Sequence, residues 1–113
     1  MVKNTTKNEK ICKNVIFANS FFKRLKGLMF TKELPLNSSM HIKPCGQIHT
    51  FFMNYNIDVL YLDKDNIILD IDENLKPGKI GKKVKDTVSV IEFQGGKIEK
   101  SNIKIGQAIE ITY

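Results

Sequence analysis

Short runs of β-branched and aromatic residues, separated by turn signals, set the fold class of this chain. The runs are residues 10–17, 47–54, 57–62, 67–72 and 87–93, followed by alternating Ile109, Ile111 and Tyr113. Such runs are typical of β-strands, and the crossings between them are too short for repeated strand-helix-strand units. The sequence therefore predicts a mainly β fold. We expect an antiparallel β-sandwich (jelly-roll-like) or a partly closed barrel, with one short α-helix.

The short helix is predicted from a change of period near residue 20. Apolar residues recur there at three- and four-residue spacings, at Phe21, Phe22, Leu25, Leu28 and Met29. Asn19 or Ser20 can cap the start of this helix. Gly27 and the following Pro35 limit it to about two turns.

The length of 113 residues and the hydrophobic fraction of 42% suit one core. We expect a disordered or irregular polar segment at residues 1–9 and a single β domain at residues 10–113. The first residues lack the apolar stretch of a secretory signal, and no run reaches the roughly 18 apolar residues of a membrane span. We therefore expect a cytoplasmic protein without membrane association, in which Cys12 and Cys45 are reduced thiols.

The net charge of +6 raises the question of nucleic-acid binding. Five lysines lie in the loop 76–85, with no acidic or aromatic residue among them. This loop could bind nucleic acid weakly, but a solvated loop is the favoured interpretation, and nucleic acid is a disfavoured partner. Arg24 is the only arginine among 18 basic residues, which suggests that a planar, always-charged group is needed there.

Both histidines and one cysteine occur in the pattern His41-x3-Cys45-x3-His49. A metal site is not expected here, because Pro44 and Gly46 disfavour the helix that would gather ligands four residues apart. Cys45 and His49 could instead act as nucleophile and base. The spacing is not a catalytic motif, so a buried thiol and a structural histidine are the favoured interpretation.

Asp58 lies inside an apolar run, on the predicted strand face of Leu60 and Leu62. A buried aspartate is costly unless it has a partner. One interpretation is a strand-end cap or a solvent-facing residue, and the other is a buried or pocket-lining pair with Arg24 or His49. The strand period also places Gln47, His49, Phe51 and Met53 on one face of the 47–54 run.

Several motifs in order resemble the domain of unknown function 192 family, a small uncharacterised prokaryotic β domain. They are Arg24-Leu25-Lys26-Gly27-Leu28-Met29-Phe30, Pro44-Cys45, Ile48-His49-Thr50 with Met53, Ile57-Asp58-Val59, Val90-Ile91-Glu92 with Gly95-Gly96, and Gly106. The resemblance implies a compact jelly-roll sandwich with a short helix, and no assigned activity. It carries over to Arg24, Gly27, Met29, Cys45, His49, Met53, Asp58, Glu92 and Gly106. Gln107 stands where many relatives have an acidic residue.

The sequence favours a non-catalytic domain that binds a small ligand or peptide in a cleft near residues 47–58. The ligand-binding candidates are Arg24, Cys45, Gln47, His49, Met53 and Asp58, and no cofactor, metal or catalytic residue is predicted. A convergent set of polar groups in an apolar pocket is typical of such sites. One alternative is a small hydrolase or transferase that uses Cys45, His49 and Asp58. The other is a weak nucleic-acid binder that uses the loop 76–85.

Overall fold

The computed structural model describes residues 1–29 and 31–113, and the side chains of residues 21, 22 and 25 lie outside that description. The elements are β1 (Val2–Asn4), β2 (Glu9–Cys12), β3 (Asn14–Ala18), α1 (Phe21–Lys26), β4 (Ser38–Ile42), β5 (Ile57–Leu62), β6 (Ile68–Leu75), β7 (Ser89–Gln94), α2 (Lys97–Ser101) and β8 (Ile109–Ile111). The predicted apolar helix positions at 21, 22 and 25, and Phe30 of the family motif, thus fall outside the described side chains.

The strands form two sheets, and the prediction of a mainly β fold is confirmed. The small sheet has the order β2-β1-β8, and the large sheet has the order β3-β4-β7-β5-β6. Within the described residues these are two separate sheets, and they do not form a closed barrel. All pairings are antiparallel except that of β3 with β4, which is parallel. This parallel pair follows from the long segment between them, which contains α1 and returns the chain to the same end of the sheet.

The two faces of the large sheet have different coverings. Leu60 and Ile91 face the small sheet and pack in one cluster with Val2 and Ile109. The neighbouring residues in each strand point the other way, and there Val59 and Val90 pack with Leu28, just after α1, and with residues of the loops. Every residue of β5 is therefore buried, which explains why its sequence is apolar at nearly every position rather than at alternate ones.

The helix α1 begins and ends as the sequence predicts. The side chain of Ser20 accepts a hydrogen bond from the Lys23 amide at 3.2 Å, which caps the first turn. Gly27 ends the helix with φ of 50°, a conformation that residues with a Cβ rarely adopt. A second helix, α2, was not predicted. None of the helices in the described parts of the chain is long and apolar enough to cross a membrane.

The start of the chain differs from the prediction. Residues 2–4, expected to be disordered or irregular, form β1, the middle strand of the small sheet. The run 10–17 is not one strand, because it divides between β2 and β3, which belong to different sheets. Val2 is fully buried, and its partners lie in β2 and β8. Pairing with the far end of the chain gives no local sequence signal.

Residues 47–54 also differ from the prediction, because they form a loop instead of a strand. His49 makes an isolated bridge with Ile80. The buried Thr50 holds this loop to the lysine-rich loop: its hydroxyl donates to the Lys76 carbonyl at 2.6 Å and accepts from the Lys79 amide at 2.8 Å. Side-chain bonds of this kind replace a strand ladder. The alternation of residue types here resembles a strand, but the backbone bonds go elsewhere.

Candidate functional site

A cavity of about 330 Å³ lies on the face of the large sheet opposite the small sheet. Its apolar walls come from β4 and the loop that follows, namely Ile42, Pro44, Ile48 and Met53. Its polar residues are Arg24, Lys26, Cys45, Gln47, His49 and Glu92. The cavity therefore brings together every sequence-predicted ligand-binding candidate except Asp58. Its volume lies at the lower end of the range usual for small-molecule sites.

Glu92 on β7 is the most deeply buried polar group of the cavity, with 1% of its surface exposed. Its Oε2 has no hydrogen-bond partner among the described residues. Its Oε1 lies near the backbone of Gly27, where a Cβ would stand 3.5 Å away. Buried polar atoms in native proteins nearly always have a partner, so an unpartnered one in a cavity wall is unusual.

Burial also changes the ionisation of Glu92. Desolvation raises the pKa of this carboxyl to about 8, because the charged form loses its hydration. Glu92 is thus mostly protonated at neutral pH while the cavity contains no ligand. A carboxyl in this condition can either donate its proton in a hydrogen bond or ionise when a cation arrives.

Arg24 and Lys26 supply positive charge from α1. Arg24 is half-buried, and its Nη1 donates to the Asn19 carbonyl at 2.6 Å. This bond to the backbone just before the helix fixes one arm of the guanidinium fork. The fork has five N–H donors, so others remain to bind an anionic group. The unique arginine of the sequence therefore lines the cavity that the other candidates share.

Cys45 and His49 lie in the same cavity wall, but each bonds to its own loop. The Cys45 thiol donates to the Gln47 carbonyl at 3.5 Å, and the Phe51 amide donates to His49 Nδ1 at 3.2 Å. The His49 ring also stacks on Phe51, with centroids 5.3 Å apart. Burial raises the pKa of Cys45, with a smaller contribution from the nearby Glu92. A raised pKa reduces the thiolate fraction, which is the opposite of nucleophile activation.

Gln47 and Met53 complete the predicted set. The Gln47 side chain donates to the Gly81 carbonyl at 2.8 Å, so it links the cavity wall to the lysine-rich loop. Met53 is buried, and its flexible side chain forms part of the apolar wall.

Asp58 has a structural role in place of the predicted pair with Arg24 or His49. It is fully buried on the opposite face of the large sheet from the cavity. Its two carboxyl oxygens accept from the Asn74 amide at 2.8 Å and from the Ile98 amide at 2.9 Å. Asp58 therefore fixes the end of β6 and the start of α2, and it is not among the described residues that line the cavity.

His41 also lies away from the cavity. It is buried on β4 and stacks with Phe17, and its Nδ1 bonds to the Tyr113 hydroxyl. Burial lowers the pKa of His41 to about 4, and the charge of Lys43 contributes to this shift. The pattern His41-x3-Cys45-x3-His49 thus does not converge. Within residues 1–29 and 31–113, no three His, Cys, Asp or Glu side chains are placed to hold a metal ion.

The lysine-rich loop folds over the edge of the cavity wall. Lys82 forms ion pairs with Asp70 at 3.1 Å and Asp72 at 3.4 Å. Gly81 lies directly against Ile48, where a Cβ would come within 2.8 Å of Ile48 Cγ1. The loop therefore packs against the cavity wall, and one of its five lysines forms ion pairs with acidic residues of β6.

Glu92 is the site residue that the sequence reasoning did not select. Its sequence signal equals that of Asp58, a single acid inside an apolar strand run. Both residues also belong to the positions that the family resemblance carries over. The same pattern could have been used to predict Glu92 as a site residue. Only the sheet topology shows that Glu92 faces the cavity and that Asp58 does not.

Comparison with known families gives a match over nearly the whole chain. The sequence model of DUF192, described as "Uncharacterized ACR", matches residues 2–111. A UPF0127 protein of Pyrococcus furiosus is 31% identical over 95% of this chain and 94% of its own length. A UPF0127 protein of Pyrococcus horikoshii is 38% identical over 71% of each chain.

Two solved structures share the fold. A protein of unknown function from Novosphingobium aromaticivorans has a TM-score of 0.76 at 23% identity, over 86% of this chain and 74% of that one. A putative transcription regulator from Sinorhizobium meliloti has a TM-score of 0.77 at 21% identity, over 85% of this chain and 79% of that one. At these identities the likeness concerns the fold alone.

Proposed function

The chain belongs to the uncharacterised DUF192 family, and from its cavity we propose that it is a non-catalytic domain that binds a small ligand or peptide. The observation that carries this proposal is the unpartnered Oε2 of Glu92, buried in the wall of the cavity. An unsatisfied buried polar atom costs roughly 1–3 kcal/mol. A ligand that bonds to this atom would recover that free energy on binding.

The chemistry of Cys45 supports binding over catalysis. A catalytic thiol needs a lowered pKa or a base within hydrogen-bond reach. Burial raises the pKa of Cys45, and its thiol donates to the Gln47 carbonyl. Asp58, the third residue of the hydrolase alternative, bonds to backbone amides on the other side of the sheet. The hydrolase or transferase alternative therefore lacks both an activated nucleophile and an orienting acid.

Binding of nucleic acid through the loop 76–85 has less support. Lys82 is engaged with Asp70 and Asp72, and the loop serves as a buttress for Ile48. Base stacking by aromatic side chains usually accompanies such basic segments, and the loop has none. The two free thiols support the cytoplasmic location that belongs to this proposal.

The proposal is tested by screening the ¹⁵N-labelled protein against a library of small metabolites and short peptides. We expect at least one compound to shift the backbone amides of residues 45–49 and 92 in a saturable manner. The amides of β1 and β8 serve as the internal control, because the small sheet lies on the far side of the large sheet. If every compound leaves the cavity amides unmoved at millimolar concentration, the binding function is refuted.

A further inference from the structure

We infer that the ligand of this cavity is a small zwitterion, whose primary ammonium bonds to Oε2 of Glu92 and whose anionic group bonds to Arg24. The inference rests on the proposed binding function and names the class of ligand. A free α-amino acid with an apolar side chain and a short peptide both have this chemistry.

The position of Glu92 defines one end of the ligand. Its Oε2 is buried in the cavity wall and has no donor among the described residues. An ammonium provides three N–H donors and a full positive charge, which an ionised carboxylate in a low-dielectric site requires. A hydroxyl or amide donor would satisfy the hydrogen bond but would leave the ionised carboxylate without a countercharge.

The position of Arg24 defines the other end. Burial raises the pKa of Glu92, and the ion pairs among the described residues do not include one between its carboxyl and Arg24. The charge of the same guanidinium makes a small contribution at Cys45, where it opposes the burial that raises the pKa of the thiol. Arg24 and the mostly protonated Glu92 thus line the same cavity, and no ion pair between them occurs in the described parts of the chain. A ligand with both charges complements each of them, and a bidentate bond to a carboxylate is the contact that arginine makes best.

The apolar walls of the same cavity define the remaining part of the ligand. Ile42, Ile48 and Met53 are apolar and buried. A cavity of about 330 Å³ accommodates a molecule of the size of an amino acid or a dipeptide. An aliphatic side chain in contact with these residues gains free energy in proportion to the apolar area that it buries.

The competing arrangement is a purely anionic ligand that accepts a hydrogen bond from protonated Glu92. Proton release separates the two arrangements. At pH 7 Glu92 is mostly protonated, so an ammonium that binds to its carboxylate must displace nearly one proton. An anion that accepts a hydrogen bond from the protonated carboxyl displaces none.

Other titratable groups near Glu92 add little to this signal. Tyr55 and Cys45 interact with Glu92, and both have raised pKa values, so they stay neutral at pH 7. Lys26 and Arg24 line the cavity as cations. His49 also lines the cavity, so the titration is repeated with His49→Gln, and proton release that persists in this variant is assigned to Glu92.

The experiment is isothermal titration calorimetry at pH 7 in two buffers of different ionisation enthalpy. The probes are leucine, the dipeptide Leu-Leu, 3-methylbutylamine, which lacks the carboxylate, and 4-methylpentanoate, which lacks the amine. We expect leucine or the dipeptide to bind at least tenfold more tightly than either single-charge analogue, with release of close to one proton. The comparison of leucine with the dipeptide distinguishes a free amino acid from a peptide as the source.

Glu92→Gln should weaken binding at least tenfold and abolish proton release, while Glu110→Gln, an exposed change on β8, should alter neither. The inference is overturned if 4-methylpentanoate binds as tightly as leucine, or if leucine binds without proton release. It is also overturned if these probes fail while another compound of the library binds, a result that leaves the binding function itself intact. If no compound binds, both the zwitterion inference and the proposed binding function are refuted.

Discussion

His41 and Glu92 lie on paired strands of the large sheet, and their side chains point to opposite faces. Met40 pairs with Glu92 and His41 pairs with Ile91, so one step along β4 reverses the direction of the side chain. Each residue is buried with one polar atom unpartnered among the described residues, Nε2 of His41 and Oε2 of Glu92. Burial shifts the two pKa values in opposite directions, to about 4 for His41 and about 8 for Glu92.

The first prediction is a decline of stability between about pH 6.5 and pH 8. The folded-state pKa of Glu92 exceeds its ordinary value of 4.5, so the folded state holds a proton that the unfolded state loses, and stability falls as pH rises from 4.5 to 8. His41 has a folded-state pKa below its ordinary value of 6.5, so its contribution rises from pH 4 to 6.5. Up to pH 6.5 the effects of Glu92 and His41 on the pH dependence of stability offset each other. Above pH 6.5 only the effect of Glu92 remains, and stability falls by up to about 1.4 kcal/mol per pH unit.

Urea denaturation at several pH values tests this prediction. Glu92→Gln should remove the decline above pH 6.5, and His41→Gln should extend the decline down toward pH 4.5. Glu110→Gln, exposed on the small sheet, should keep the profile of the unmodified protein. A stability that is constant from pH 6.5 to 8 in the unmodified protein would contradict the burial of an unpartnered Glu92.

The second prediction concerns alkylation of Cys45. Because burial raises the pKa of its thiol, we expect iodoacetamide to modify Cys45 more slowly in the folded protein than in guanidinium chloride, at pH 7 to 8. Glu92→Gln should speed the reaction above about pH 8, since it removes a negative charge that raises the pKa of Cys45. Mass spectrometry of separate peptides distinguishes Cys45 from the buried Cys12. Folded protein that reacts faster than unfolded protein would instead favour the hydrolase alternative.

The third prediction is that Asp58→Ala destabilises the fold by about 2–5 kcal/mol, because it leaves the buried amide of Ile98 and the part-buried amide of Asn74 without their acceptor. The free energy of unfolding in urea measures this cost. Asp65→Ala, in the exposed turn between β5 and β6, is the matched control and should change stability by less than about 0.5 kcal/mol. Equal stabilities of the two variants would show that Asp58 is not a structural acceptor.

The fourth prediction compares two glycines of the cavity region. Gly81→Ala should destabilise the protein by about 1–3 kcal/mol, since its Cβ would come within 2.8 Å of Ile48 Cγ1 and 3.1 Å of the Ile48 carbonyl. Gly46→Ala should be nearly neutral, because no atom lies within 4 Å of its added Cβ. Thermal unfolding of both variants tests the contrast. A neutral Gly81→Ala would mean that the lysine-rich loop does not press on the cavity wall.

The fold can be predicted from the sequence where a strand or helix is signalled by its own residues. The apolar run Ile57–Leu62 predicts β5 with its observed bounds, and the expected cap at Asn19 or Ser20 predicts the start of α1, which Ser20 caps. The prediction from sequence fails where the strands that pair with a segment are distant from it in the sequence. Residues 2–4 contain one apolar residue and become a strand only because β2 and β8 lie on either side. The loop at 47–54 alternates like a strand, but the Thr50 hydroxyl redirects its backbone bonds to Lys76 and Lys79.

The candidate site shows the same limit. The candidate residues from Cys45 to Met53 lie close together in the sequence, so they could be predicted to share one site. Arg24 could be assigned to this site because it is the only arginine in the sequence. Asp58 and Glu92 could not be told apart, since each is one acid in an apolar strand. Their roles depend on register, which places Asp58 opposite Phe93 and Glu92 opposite Val59, on different faces of the sheet.

The small sheet takes its middle strand from the first residues of the chain and one edge strand from the last. During synthesis β8 emerges after the other described strands, so the sheet that covers Leu60 and Ile91 stays incomplete until β8 has been made. Until then the growing polypeptide exposes an apolar surface on one side. The pairing of β1 with β8 therefore forms late, and this non-local step slows folding.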